Sequence, residues 1–100
     1  MLCKDRYFAY RHSIGGSVKV FYFSADWCVA CKTNKPMIKA VCLENNVGFE
    51  EVDADKMVEK ANMCGVAGLP TILIYDDKGE ELVRHVGAMT KQQLMKCLYR

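Results

Sequence analysis

Residues 18–23 read VKVFYF, and every side chain but that of Lys19 is apolar, β-branched or aromatic. Such a composition suits a strand. With no polar alternation there is no solvent face, so the strand is expected inside a sheet and covered on both sides. The stretch that follows is SADWCVACK, in which Cys28 and Cys31 lie three positions apart between Trp27 and Lys32.

The rest of the chain reads as alternating elements. A helix is expected over 29–44, with Met37, Ile38 and Val41 as an apolar stripe. Pro36 lies inside it, removes one backbone donor and should kink it. A strand is expected over 47–53, a short helix over 56–63 and a strand over 71–75. Residues 76–79, DDKG, read as a hairpin turn with a glycine suited to positive φ. A returning strand over 80–86 follows, then a helix opened by Thr90, which with Gln93 fits a capping box. Leu94, Cys97 and Leu98 should form its buried stripe. Residues 5–12 could make a short helix with Tyr7 and Phe8 inward, ended by Gly15-Gly16-Ser17. Strands separated by helices imply parallel pairs, and the closing hairpin adds an antiparallel one. The expected fold is α/β: a mixed sheet of about four to five strands with helices on both faces, one domain over residues 1–100.

Length and charge narrow the function. One hundred residues favour one domain with a small core. A formal charge of +2, with bases scattered among acids, gives no argument for nucleic acid. No stretch nears the roughly 18–20 apolar residues of a membrane span. Lys4, Asp5, Arg6 and Arg11 leave no apolar core for a signal peptide, so a cytoplasmic location is expected. Six cysteines could form a disulfide framework in a secreted chain, but in a reducing compartment a close pair is catalytic or metal-binding.

Cys28 follows a strand and opens a helix, whose unpaired N–H groups and positive dipole end favour a thiolate. Cys31 lies one turn on, within reach of a disulfide. A C-x-x-C beside a βαβ pattern is a redox signature. Zinc would want two close pairs of ligands. Cys3, Cys42, Cys64 and Cys97 offer no second C-x-x-C, and His12 and His85 are isolated, so no metal is expected. Pro70 in GLPT, just before a strand, is a candidate for a cis peptide bond. Gly87, after the last strand, would allow close approach by another backbone.

Taken together, FSADWCVACK, Pro36, VDAD at 52–55, GVAGLPT at 65–71, DDKGE at 76–80 and HVGAMTKQQL at 85–94 resemble the thioredoxin family from about Val18 onward. The resemblance implies the thioredoxin fold and a cis Pro70 facing the dithiol. It implies that Trp27, Gly68, Leu69, Gly87 and Ala88 form an apolar surface for the substrate, with backbone near Pro70 bonding the substrate strand. Cys28 is then the nucleophile and Cys31 the resolving thiol. The resemblance further implies a protein that needs no cofactor of its own, acts as a monomer on disulfide-containing protein substrates, and is recycled by an NADPH-dependent thioredoxin reductase. An electron relay or oxidant, or an accessory subunit binding through the apolar face, are the alternatives within this fold.

Two departures from the family stand out. Val29-Ala30 replaces the usual Gly-Pro, giving back one backbone N–H near the reactive sulfur and implying a weaker reductant. Tyr22 stands where the family usually has a buried aspartate, and the accompanying lysine maps to Glu51. Glu51, buried, raised in pKa and hydrogen-bonded to Tyr22, is the expected proton acceptor for Cys31. Asp26 is a surface alternative, and Lys32 could add positive potential. Cys64, in the loop leading to Pro70, is a candidate thiol near the substrate face.

Overall fold

Strand β1 (Val18–Ser24) runs through the middle of the sheet, hydrogen-bonded on both edges. The computed structural model describes residues 18–99. The helix expected over 5–12 and the break at 15–17 lie outside them, as do Cys3 and His12. The remaining elements are α1 (Val29–Glu44), β2 (Gly48–Asp53), α2 (Val58–Met63), β3 (Thr71–Asp76), β4 (Glu81–Val86) and α3 (Lys91–Leu98). The sheet order is β2-β1-β3-β4.

Alternation along β1 divides the core between two faces. Val20 and Tyr22 enter a cluster with Cys28, Cys31, Ile38, Val41 and Leu94. Phe21 and Phe23 enter another with Val52, Ala61, Leu73 and Tyr75. On α1, Ile38 and Val41 are buried and Met37 half-buried, as an apolar stripe requires. Pro36 lies within that helix, which continues through it. The capping box at Thr90 is formed in both directions.

β2 pairs parallel with β1, but β3 pairs antiparallel with it, which corrects the expectation of parallel pairing after each helix. The reason is length. Sixteen-residue α1 spans roughly 24 Å, enough to return the chain to the start of β1. Six-residue α2 spans roughly 9 Å against roughly 20 Å for a strand, so β3 begins where β2 ended. The ends of β1 and β2 and the start of β3 therefore share one edge, with Phe23 opposite both Val52 and Thr71. β4 ends there too, Val86 opposite Thr71. That edge gathers the segments after Ser24, after Asp53, before Thr71 and after Val86.

Candidate active site

Cys28 is the N-cap of α1, in extended backbone, and its Sγ accepts the N–H of Cys31 at 3.1 Å. Cys28 and Cys31 are joined as a disulfide with Cα atoms 5.2 Å apart. Cys28 is 6% exposed and Cys31 1%, so Cys28 is the more reachable sulfur. A thiolate at Cys28 would keep the Cys31 N–H and the positive end of a sixteen-residue helix as partners. The donor found at this sulfur is Cys31 N–H rather than the Ala30 N–H anticipated from the Val-Ala pair.

The Leu69–Pro70 peptide is cis. Leu69 packs against the cluster that holds both cysteines. Thr71 Oγ1 donates to Gly68 O at 2.5 Å, and Gly87 N–H donates to Pro70 O at 2.7 Å, tying the two loops together. Gly87 thus lies against the Pro70 backbone, and at Gly68 an added Cβ would meet the Val86 side chain, Cγ1 at 3.0 Å. At Gly87 a Cβ would meet nothing within 4 Å. Glycine is needed there for φ +106°, which side chains disfavour. Ala88 is exposed, with its carbonyl 3.1 Å from His85 Nε2. Trp27, 67% exposed, is held from elsewhere: its Nε1–H donates to Asp55 Oδ2 at 2.8 Å.

Glu51 differs from its expected role. It is exposed rather than buried; Ser24 Oγ donates to its Oε2 at 2.7 Å and Lys35 Nζ lies 3.1 Å from its Oε1. Partial burial pushes its carboxyl up, but the hydrogen bonds from Ser24 and Lys35 and the charge of Lys35 outweigh this, and its pKa is lowered. Tyr22 does not bond Glu51. Its hydroxyl donates to Cys31 O at 2.7 Å. Burial, aided by the Glu51 charge, pushes the Tyr22 phenol up to about 12, so it stays protonated and acts as a donor. Glu51 fails as a buried acceptor because its strand edge leaves room for a lysine from α1.

Asp26 and Lys32 are exposed beside the site. Cys64 is not a surface thiol near the substrate face. It ends α2, is 3% exposed in the second cluster and is disulfide-bonded. Cys42 is a free, buried thiol whose pKa burial pushes up to about 12, which makes it inert. Sequence reasoning missed Ser24, Lys35, Asp55 and Asn34. Asn34 Nδ2 donates to Met89 O at 2.9 Å and its Oδ1 accepts Met89 N–H at 2.9 Å. Asparagine in a helix interior was the available signal, since it is a weak helix former there.

The comparisons with known proteins agree with this site. The thioredoxin family profile matches residues 8–100. The chain is 43% identical over 75 residues to mitochondrial thioredoxin-2 of Schizosaccharomyces pombe, covering 74% of this chain and 56% of that protein. It is 32% identical over 87 residues to thioredoxin of Chlamydia trachomatis, covering 86% of this chain and 84% of that protein. The X-ray structure of Fasciola hepatica thioredoxin superposes with a TM-score of 0.76 at 32% identity, over 85% of this chain and 81% of that one. With a cysteine pair at the helix N-terminus and a sheet of the matching topology, the chain belongs to the thioredoxin family and is a thiol–disulfide oxidoreductase.

Proposed function

We propose that this chain is a general reductant of protein disulfides, with Cys28 as nucleophile and Cys31 as resolving thiol. The carrying observation is Cys28 at the cap of α1, its sulfur hydrogen-bonded by Cys31 N–H and the residue itself more exposed than Cys31. Cys28 thiolate attacks one sulfur of the substrate disulfide; that bond breaks and a mixed disulfide forms. The other substrate sulfur has left as a thiolate; Cys31 then loses its proton and attacks Cys28 Sγ, expelling the sulfur held in the mixed disulfide. Two electrons and two protons have passed to the substrate, and Cys28–Cys31 is left oxidised.

Trp27, Gly68, Leu69, Pro70, Gly87 and Ala88 serve as the substrate-binding surface, which the shared sheet edge and the exposure of Trp27 and Val86 support. The peptide groups beside Pro70 hold the substrate as an added strand. Lys32, exposed in the first turn of α1, adds positive potential there. An NADPH-dependent thioredoxin reductase recycles the disulfide, and the protein works as a monomer, one domain over residues 1–100. No helix among the described residues is long and apolar enough to cross a membrane. The cytoplasm is the proposed compartment; Cys42 and Cys97 are free thiols, while Cys64 is disulfide-bonded. Ala30, where the family usually has proline, restores an N–H to the first turn of α1, whose positive end favours a thiolate at Cys28, so a glutathione redox titration should give a potential less negative than that of a Gly-Pro thioredoxin.

An insulin-reduction assay with either a thioredoxin reductase or a glutathione system as donor tests this reading. Turnover with the reductase is expected. Cys28→Ser should reduce it to background, and Cys31→Ser should accumulate the mixed disulfide. Turnover only as an oxidant, or full biological activity of the double serine variant, would favour a relay or a binding subunit instead.

A further inference from the structure

Asn34 lies one helical turn beyond Cys31 on α1, yet its side chain serves a segment 55 residues away. Its amide donates to Met89 O and its oxygen accepts Met89 N–H, both at 2.9 Å. One carboxamide thus satisfies both backbone groups of one residue, which fixes the side chain's orientation and the loop's position together. Met89 is anchored from its other end as well, its side chain 3% exposed in the cluster that holds Cys28 and Cys31.

The segment held in this way is Gly87-Ala88-Met89, between β4 and α3. Gly87 N–H reaches Pro70 O, His85 Nε2 lies 3.1 Å from Ala88 O, and Thr90 N–H is taken by Gln93 Oε1 at 2.8 Å. Those three contacts tie the segment to the Pro70 loop, to its own strand and to its own helix. Asn34 supplies the hydrogen-bonded link to the helix that carries the dithiol. Aspartate at 34 would lack the donor, leucine would lack both groups, and asparagine carries a helix-propensity cost relative to alanine.

We propose that Asn34 is a positioning residue that sets specificity for protein disulfides by holding the Gly87–Met89 segment in fixed register with Cys28. This rests on the reductant reading above, in which Ala88 and Gly87 meet the substrate chain. A small disulfide needs only the sulfur of Cys28. A protein disulfide needs the sulfur and the neighbouring segment at once, so loosening the segment raises its KM and leaves the chemical step alone.

The test compares reduction of insulin with reduction of a small aromatic disulfide by wild type, Asn34→Ala and Asn34→Asp, each first checked by thermal melting. Asn34→Ala is expected to raise KM for insulin roughly tenfold, the loss of two hydrogen bonds, with kcat and the small-disulfide rate within about twofold of wild type. Asn34→Asp keeps the acceptor for Met89 N–H and should fall between the two, and it carries the comparison if Asn34→Ala does not fold. Equal losses on both disulfides, or no change on either, would overturn the inference. A wild-type protein that reduces neither disulfide would instead overturn the reductant reading.

Discussion

Side chains of β1 leave the sheet alternately, and the two faces they enter are unlike. Tyr22 enters a face that holds the Cys28–Cys31 pair, and its hydroxyl is committed to the carbonyl of Cys31. Phe23, the next residue, enters a face with Val52, Ala61 and Leu73, where Phe21 and Tyr75 stack at 5.8 Å with rings tilted 37°. The first face combines packing with directed polar contacts to a reacting helix. The second is packed largely from hydrocarbon and rings, with its one cysteine disulfide-bonded. A single strand thereby joins a reactive layer to a stabilising one, and the two should respond differently to substitution.

Leu73→Ala gives the largest effect. Leu73 is fully buried on the second face, and its truncation should cost roughly 3–5 kcal/mol of stability, read by urea unfolding. The folded fraction should reduce insulin at the wild-type rate. A changed redox potential or rate would show that the faces are coupled and break the comparison. Tyr22→Phe on the first face should invert the pattern. Stability should fall by only about 1 kcal/mol, the worth of one hydrogen bond. Resolution of the mixed disulfide by Cys31 should slow roughly three- to tenfold, because the turn carrying Cys31 loses its tie to the sheet. Rapid-quench trapping of the mixed disulfide measures that rate, and an unchanged rate would reduce Tyr22 to packing.

What could be read in advance divides along a similar line. The ends of α1, the capping box of α3 and the reactive pair were legible because each depends on residues within a few positions of one another. The direction of β3 depended on the length of α2, a quantity the pattern of strands and helices does not weigh. Glu51 was misread because its partners come from elsewhere: Ser24 on the neighbouring strand and Lys35 on the helix above. Substituting Tyr22 for a carboxylate suggested a compensating acid nearby, but the space beside Glu51 is open to a lysine. The Asn34–Met89 pair spans 55 positions, and only the folded chain brings it together.

Glu51→Gln sharpens the comparison with the smallest effect. The Glu51 pKa is lowered from its ordinary value of 4.5, so the folded state binds its proton less tightly than the unfolded one. The stability this contributes is fully present above about pH 4.5, and it is lost as pH falls through the lower folded value. With Glu51 39% and Lys35 37% exposed in their side chains, screening holds the contribution to roughly 0.2–1 kcal/mol. Glutamine can still accept from Ser24 Oγ, so the loss should be confined to the attraction of Lys35. Urea midpoints of wild type and variant should differ slightly at pH 7 and converge as the pH falls through the lowered folded-state value. The neutral-range pH profile of insulin reduction should be the same for both, since a carboxylate already ionised there exchanges no proton with Cys31. A profile displaced in the variant would return Glu51 to the proton path and make the strand edge part of the reactive layer.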